Sequence, residues 1–310
     1  MHGLLLMTDP QLDFIDCAPS AHASRGHRMA YWHWGDAHSS HVVLCVHGLT
    51  RQGRDFDVLA QAVCERAGQQ GQSVRVVCPD VVGRGRSDWL SDPQDYQLFT
   101  YVADMLALVQ TLNAQRLDWV GTSMGGLVGM AVAALPDGVR PAALSRLILN
   151  DVGPELAWPA LARIGQYVGQ TGVFETVEQA AQALWAISST FGPHTPLQWL
   201  ALTRPMLKPL GDGSGRWTLH YDPAVALAFK ALTPDAARAA QAQMWQAYER
   251  IAVRTLVLRG AQSDLLTPDC ARRMTQCGPR AQLREFDGVG HAPTLVAPDQ
   301  IAAVLEFLWP

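Results

Sequence analysis

A serine flanked by glycines carries the strongest sign of chemistry in the chain. Residues 121–126 read Gly-Thr-Ser-Met-Gly-Gly and fit the pattern G-x-S-x-G. An apolar, strand-like run precedes this motif and a helical pattern follows it, which is the setting of a nucleophile on a sharp strand-to-helix turn. Such a turn strains the serine backbone, and glycines on either side allow neighbouring segments to approach closely. The motif predicts Ser123 as a nucleophile rather than part of a plain glycine-rich connection or a phosphate-binding loop.

A serine hydroxyl needs an adjacent base to act as a nucleophile at neutral pH. Only one histidine, His291, follows residue 246, and it lies in the sequence Asp-Gly-Val-Gly-His-Ala-Pro. Glycines at 288 and 290 favour a loop that brings an imidazole over the edge of a sheet. We therefore predict His291 as the general base, the alternative being an ordinary loop histidine.

The elements that must position these residues alternate between strands and helices. Apolar β-rich runs predict strands at 42–46, 74–78, 117–120, 144–150, 253–258 and 282–286. Apolar residues spaced by three and four predict helices at 56–66, 98–112, 124–135, 268–276 and 299–308. This alternation predicts an α/β fold, with a mostly parallel, doubly wound sheet that is covered by helices on both faces.

The alternation stops in the middle of the chain. Residues 153–246 are mostly helical in pattern and rich in Ala, Gln, Trp and Pro. The simplest interpretation is one α/β core, formed by residues 1–152 and 247–310, that is interrupted by a helical cap at 153–246.

Composition excludes several classes of protein. Apolar residues make up 48% and charged residues 17% of the 310 residues, and the net charge is −4 without a basic run, so no nucleic-acid partner is expected. No apolar stretch is long enough to span a membrane. The opening segment from Met1 to Met7 does not resemble a signal peptide, and either methionine is compatible with a start. The six cysteines form no C-x-x-C pair and are expected to be reduced thiols of a cytoplasmic protein.

Five segments together resemble the α/β-hydrolase superfamily over nearly the whole chain. They are His47-Gly48, the loop Pro79 to Asp88, residues 121–126, Asp264, and Gly290-His291. The Pro79–Asp88 loop is similar to the D-x-x-G-x-G-x-S segment, which is structural in that superfamily. Haloalkane dehalogenases and epoxide hydrolases look similar but use an aspartate nucleophile, so Ser123 places this chain outside them. The resemblance implies a serine-nucleophile esterase-like or lactonase-like enzyme with a helical cap after the sixth strand.

The resemblance also implies the order serine, acid, histidine along the chain. Two aspartates follow strand ends and are candidates for the acid. Asp264 follows the strand ending near Gly260 by a short loop whose length matches the family pattern, and it is the favoured acid. Asp151 follows the strand ending at Asn150, and some hydrolases take the acid from that position. The alternative for Asp151 is a hinge or loop-capping residue.

An acyl-transfer site needs two N–H donors for the oxyanion of its tetrahedral intermediate. The backbone N–H of Met124, directly after the nucleophile, is the first candidate, and that of Leu49 in the loop after the first long strand is the second. His47 precedes this loop and is expected to brace it by hydrogen bonding rather than act as a base.

The predicted cap holds half of the tryptophans of the chain, and a cap over a serine must supply part of the pocket lining. Most of these aromatic residues are expected to pack within the cap itself. Candidate substrate-binding residues are Arg51, Trp185, Trp217, His220 and Tyr221.

The leading hypothesis for function is hydrolysis of a small to medium, largely apolar carboxylic ester or lactone. Ser123, His291 and Asp264 form the predicted catalytic triad, with no cofactor or metal. The first alternative is a meta-cleavage-type C–C hydrolase, but the first loop, 49–53, departs from the His-Gly-x-Gly-Pro-Gly character of those enzymes. A second alternative is a ligand-binding protein on a hydrolase scaffold. The sequence does not specify the natural substrate or the oligomeric state.

Overall fold

The predicted strands and helices assemble around one eight-stranded sheet in the computed structural model, which describes residues 9–19 and 25–310. The expectations about Met1, Met7 and the opening segment fall outside the described residues. The strands of the sheet are β1 (Gln11–Cys17), β2 (His27–Gly35), β3 (His41–Val46), β4 (Arg75–Pro79), β5 (Arg116–Thr122), β6 (Leu144–Asn150), β9 (Arg254–Gly260) and β10 (Gln282–Phe286).

The strand order is β1-β2-β4-β3-β5-β6-β9-β10. Strand β2 runs antiparallel to both of its neighbours, and all other neighbouring pairs in the sheet are parallel. The prediction of a mostly parallel, doubly wound sheet is therefore confirmed. The sequence pattern does not predict β1 and β2, because β2 is buried on both faces and shows no alternation of apolar and polar residues.

Helices cover both faces of the sheet, and each face has its own apolar core. The central strand β3 illustrates the division, since Val42 and Leu44 pack into one core while Val43 and Cys45 pack into the other. The helices of the two layers are α1 (Asp57–Gln69), α2 (Leu98–Leu112), α3 (Met124–Ala133), α9 (Pro268–Met274) and α10 (Pro298–Leu308).

The segment between β6 and β9 forms a separate group of elements. They are α4 (Trp158–Tyr167), α5 (Val177–Ser188), α6 (Pro196–Thr203), β7 (Leu207–Pro209), β8 (Trp217–Leu219), α7 (Val225–Lys230) and α8 (Pro234–Glu249). Strands β7 and β8 pair as a small antiparallel sheet that the helical prediction for 153–246 omits. Helix α8 also continues past residue 246, and the division of the chain into core and cap stays a prediction.

Threonine caps determine where several helices begin. The side chains of Thr176, Thr195, Thr233 and Thr267 each accept a hydrogen bond from a backbone N–H of the first turn of α5, α6, α8 and α9. A proline follows the cap in the last three of these helices, where its missing N–H and fixed φ cost nothing.

All six cysteines are free thiols in this structure. Across residues 9–19 and 25–310, none of the helices combines the length and the apolar character that crossing a membrane requires.

Candidate active site

Ser123 lies at a sharp turn between β5 and α3. Its φ is +52° and its ψ is −116°, a strained conformation for a residue with a side chain. Two glycines make the turn possible, because a Cβ on Gly121 would clash with the carbonyl oxygen of Gly125, and one on Gly125 would clash with that of Val46. The structure thus gives the glycines of the motif the steric role that the sequence predicts.

A continuous chain of hydrogen bonds links three side chains at this edge of the sheet. The Nε2 atom of His291 lies 3.0 Å from the Oγ of Ser123, and its Nδ1 lies 2.7 Å from an Oδ of Asp151. Asp151 accepts only, so Nδ1 carries the proton and Nε2 is free to accept one from the serine. The structure therefore brings the two predicted residues Ser123 and His291 together, with Asp151 as their third member.

The position of Asp151 follows from the pairing of two adjacent strands. Thr122 at the end of β5 pairs with Asn150 at the end of β6, so Ser123 and Asp151 are the next residues on neighbouring strands. Both have positive φ, which is +55° at Asp151. The chain reverses at the same level of the sheet after both strands and places both side chains at the site.

The Asp151 carboxylate is fully buried and receives three hydrogen bonds. Besides His291, the backbone N–H of Gly260 donates to it at 2.9 Å and the hydroxyl of Ser263 donates at 2.6 Å. A buried carboxylate is costly unless such donors satisfy it. The loop after β9 thus fixes the position of the Asp151 carboxylate, and sequence reasoning missed the contribution of Ser263.

The prediction that Asp264 is the acid partner of His291 is wrong. Its carboxylate pairs with Arg163 through two hydrogen bonds of 2.9 Å and is half exposed to solvent. The physical reason is the tight turn in which Ser263 N–H donates to Gly260 C=O. This turn directs Ser263 to Asp151, so Asp264, one residue later, faces the α4 helix instead.

The loop after β3 presents the peptide between Gly48 and Leu49 beside the serine. The carbonyl of Gly48 accepts hydrogen bonds from His47 Nδ1 at 2.7 Å and from the backbone N–H of Arg51 at 3.2 Å. In a trans peptide the N–H of Leu49 points away from that carbonyl. The two donors therefore fix the orientation of the N–H that is predicted to stabilise an oxyanion, and that role stays a prediction.

His47 is a buried structural brace, as the sequence analysis expected. Its Nε2 accepts a hydrogen bond from the backbone N–H of Val81 at 2.9 Å, while its Nδ1 serves Gly48. Burial lowers the pKa of His47 to about 3. The imidazole is thus neutral at ordinary pH, with both nitrogens engaged, and has no capacity to act as the base.

The loop from Pro79 to Asp88 holds the first loop in place. Buried Asp80 accepts hydrogen bonds from the backbone N–H groups of Gly53 and Arg86 at 2.7 and 2.8 Å, and burial raises its pKa to about 6. Fully buried Arg84 donates to the carbonyl of Leu49 at 2.8 Å. The structural role expected of this loop matches these contacts.

Ser123 and His291 open into a cavity of about 250 Å³. Its walls are mostly apolar and come from both the core and the segment between β6 and β9. The apolar lining consists of Leu49, Phe56, Met124, Leu127, Val152, Leu156, Leu161, Ile164, Leu184, Ile187, Phe191, Leu202, Met206, Leu219, Phe229, Leu265, Ala292 and Pro293. Such walls fit apolar substrate groups, and the predicted oxyanion donors Leu49 and Met124 are both among them.

Two of the five predicted substrate-binding residues line this cavity. Arg51 does so while its guanidinium is paired with Asp55 at 2.6 and 2.7 Å. Tyr221 also lines it, and its hydroxyl accepts a hydrogen bond from Gly169 N–H and donates one to the carbonyl of Gln170. Both polar groups are thus already engaged by the protein.

Trp185, Trp217 and His220 do not line the cavity, so the structure does not bring these three predicted substrate-binding residues to the site. Trp185 packs edge-on against Trp199 with ring centroids 5.0 Å apart. Trp217 lies in β8, and its backbone pairs with that of Phe174. The carbonyl of His220 accepts a hydrogen bond from Gly85 N–H, which joins the segment between β6 and β9 to the Pro79–Asp88 loop, and burial lowers the pKa of the His220 side chain to about 4. These residues hold elements together.

Sequence reasoning missed several polar residues of the cavity wall, among them Arg163 and Tyr167. Arg163 and Tyr167 lie one turn apart on α4 and both line the cavity. The available signal was a lone arginine within the apolar helix pattern that follows Asp151.

One cluster outside the cavity has side chains of the kind that bind metals. Among the described residues, Cys17, His27 and Asp104 bring their ligand atoms within 4.8 Å of one another, and all three are buried. A hydrogen bond of 3.0 Å between His27 Nε2 and Asp104 accounts for part of this arrangement. The cluster does not contribute to the wall around Ser123.

Comparisons with known proteins agree on the kind of molecule. The model of the family described as "Alpha/beta hydrolase family" matches residues 43–304. A 3-hydroxybutyrate-oligomer hydrolase of Cupriavidus necator is 46% identical over 303 residues, which are 97% of this chain and 99% of that protein. The structure of an alpha/beta hydrolase from Novosphingobium aromaticivorans is 34% identical with a TM-score of 0.79, covering 97% of this chain and 98% of that one. A putative hydrolase from Rickettsia typhi is 28% identical with a TM-score of 0.82, covering 96% and 98%. These likenesses support a hydrolase that cleaves esters.

The two aspartates can be tested against each other with matched substitutions. Asp151→Asn should lower kcat for p-nitrophenyl butyrate by about 10⁴-fold, because an amide at the acid position favours the wrong imidazole tautomer. Asp264→Asn, the control, should cost less than about tenfold, because the exposed pair it breaks contributes little. Steady-state kinetics of both variants are the measurement, and a larger loss for Asp264→Asn would return the acid role to that residue.

The neutral state of His47 should appear in the pH dependence of stability. Its pKa is lowered in the folded protein, so below about pH 6.5 the unfolded chain binds a proton that the folded chain does not. This group should therefore reduce the free energy of unfolding by up to about 1.4 kcal/mol per pH unit as pH falls toward 3. Urea unfolding of His47→Gln should show a shallower acid slope than the wild type. Exposed His38→Gln is the control, and an unchanged slope in His47→Gln would refute the buried neutral imidazole.

Proposed function

Because the chain belongs to the alpha/beta hydrolase family, we propose that it is a serine hydrolase whose triad is Ser123, His291 and Asp151. The observation that carries this proposal is the unbroken hydrogen-bond chain from Asp151 through His291 to Ser123 at the wall of an apolar cavity. Each member has the hydrogen-bond partner that its role requires.

The proposed reaction proceeds through an acyl-enzyme. His291 Nε2 takes the proton of Ser123 as its Oγ attacks the ester carbonyl, and the backbone N–H groups of Leu49 and Met124 stabilise the oxyanion. The imidazolium then donates its proton to the departing alcohol, leaving the acyl group on Ser123. Water attacks this ester in turn, with His291 again as the base, and the imidazolium returns its proton to Ser123 Oγ as the acid is released. Asp151 stabilises the imidazolium in both steps while remaining ionised.

The proposed substrate is a small to medium, largely apolar ester. A cavity of about 250 Å³ with mostly apolar walls suits a chain of a few carbon atoms on each side of the scissile bond. The Cupriavidus necator relative is named for hydrolysis of 3-hydroxybutyrate oligomers. Such oligomers consist of short methyl-branched units joined by esters, so a short oligoester of this kind is the substrate we propose.

The aromatic and aliphatic cap side chains in the cavity wall suggest that catalysis and substrate selection belong to different parts of the chain. Ser123, His291 and Asp151 lie outside the proposed cap at 153–246, whereas Leu184, Phe191 and other wall residues lie inside it. We propose that the core performs the chemistry and the cap selects the length of the substrate.

The nucleophile can be tested by removing one oxygen atom. Ser123→Ala should lower kcat for p-nitrophenyl butyrate by at least about 10³-fold, because the remaining site cannot form the acyl-enzyme. Exposed Ser40→Ala, on a loop away from the cavity, is the matched control and should keep its rate. Circular dichroism should show both variants folded, and near wild-type turnover by Ser123→Ala would refute the proposed function.

The selection of length can be tested with p-nitrophenyl esters from acetate to decanoate. Each added methylene should raise kcat/KM by up to about fourfold until the cavity is full, since burial of one CH₂ contributes about 0.8 kcal/mol. Phe191→Ala should move the optimum to longer chains, because Phe191 lines the wall.

Trp185→Ala is the control for this series, because Trp185 packs inside the cap and does not line the cavity. It should lower thermal stability and leave the optimum where it is. If Phe191→Ala instead lowers kcat/KM for all esters by the same factor, then the cap does not select the length of the substrate.

A further inference from the structure

The cavity wall contains two arginines, and each is paired with an aspartate. Arg51 pairs with Asp55, and Arg163 pairs with Asp264. Each pair is neutral as a whole. The two pairs differ in how firmly the aspartate holds the guanidinium, and this difference decides which arginine can bind a charged substrate.

Arg51 is firmly bound to Asp55. Its two hydrogen bonds to Asp55 measure 2.6 and 2.7 Å, and the two side chains are only 13% and 16% exposed. The Nη2 atom of one of these bonds also lies 3.5 Å from the carbonyl oxygen of Leu202, and the remaining nitrogen, Nη1, faces the sulfur of Met206. Removing Asp55 from Arg51 would leave a buried carboxylate without its cation, which is strongly unfavourable.

Arg163 can change its partner at small cost. The Arg163 and Asp264 side chains are 39% and 50% exposed, and exposed ion pairs contribute little because water solvates both partners. Arg163 lines the cavity. Asp264 contacts Arg163 from the loop after β9 and is not itself part of the cavity wall. A carboxylate inside the cavity can therefore take over the paired donors of Arg163 while Asp264 returns to solvent.

Tyr167 adds a hydroxyl donor beside this guanidinium. It follows Arg163 by one turn of α4 and lines the same cavity. Burial raises the pKa of its phenol, a shift that the Arg163 guanidinium opposes. The wall at α4 thus combines a planar cationic fork with a neutral hydroxyl, the donors that suit a carboxylate.

We propose that Arg163, with Tyr167 beside it, binds the free carboxylate of the substrate, and that Asp264 pairs with the Arg163 guanidinium until a substrate takes its place. This inference rests on the proposed ester hydrolysis at Ser123. The substrate class is then an ester of a hydroxy acid that ends in a free carboxylate. Neutral esters, and internal units of a long polyester, lack the charged end and gain nothing from Arg163.

The test compares substrates that differ only in that charge. The first pair is 3-acetoxybutyrate and its amide, 3-acetoxybutyramide, and the second is the 3-hydroxybutyrate dimer and its terminal amide. The carboxylate preference is defined as kcat/KM for the acid divided by kcat/KM for the amide, from chromatographic analysis of the products. A bidentate charged contact corresponds to a preference of about tenfold or more.

Arg163→Gln should lower the carboxylate preference by about tenfold, and Arg163→Lys should give an intermediate value because it keeps the charge without the fork. Asp264→Asn should raise the preference, since it removes the competing carboxylate and retains the shape. Thermal unfolding of each variant separates this effect from lost stability.

The inference is overturned if the preference is the same in the wild type, Arg163→Gln and Asp264→Asn. It is equally overturned if the substitutions reduce acid and amide substrates in parallel, because the pair would then only attach α4 to the core. Hydrolysis of 3-acetoxybutyrate with the expected preference, but not of the dimer, would support the carboxylate subsite and contradict the proposed oligomer substrate. If the wild type hydrolyses none of these esters and no p-nitrophenyl ester, the proposed function itself is refuted.

Discussion

The hydrogen bond between His291 and Asp151 connects the parts of the chain that must meet for the proposed chemistry to occur. Asp151 follows β6, Ser123 follows the adjacent strand β5, and His291 comes from the loop after β10 at the edge of the sheet. The pairing of Thr122 with Asn150 puts the first two residues at one level, and both turn through positive φ there. Because the imidazole reaches both, its position depends on the register of the parallel strands and on the strained turns that end them.

The groups that orient these hydrogen-bonded side chains are mostly buried and are themselves hydrogen-bonded. His47 orients the peptide of Gly48, Val81 orients His47, and Ser263 and Gly260 orient Asp151. None of these contacts involves a reacting atom of the proposed mechanism. Their contribution is to fix donors and acceptors before a substrate binds, so that little reorganisation is needed when charge develops.

Part of this arrangement could be predicted from the sequence because short motifs determine it locally. The glycines around Ser123 and the glycine-flanked loop of His291 indicate those residues, and the alternation of strands and helices indicates the parallel sheet. The choice between Asp264 and Asp151 depends on which strand lies beside β5, and local sequence patterns do not determine the order of strands in a sheet. Loop length favours Asp264, yet a tight turn points Ser263 rather than Asp264 at the site.

The segment between β6 and β9 shows the same limit of sequence-based prediction for individual side chains. Aromatic content indicates that large side chains pack there, but only the fold decides which of them face the cavity. Trp185 packs on Trp199, whereas Phe191 and Arg163 face the cavity. The direction of a side chain on a short helix depends on its packing partners, and these lie far away in the sequence.

The proposed nucleophile can be identified directly by trapping it. Diethyl p-nitrophenyl phosphate transfers its phosphoryl group to an activated serine and releases p-nitrophenolate, and the adduct cannot turn over as an acyl-enzyme does. The account predicts one nitrophenolate released per chain, complete loss of ester hydrolysis, and a single adduct on Ser123 in peptide mass spectrometry. An adduct on a different residue, or full ester hydrolysis by protein labelled at Ser123, would contradict it.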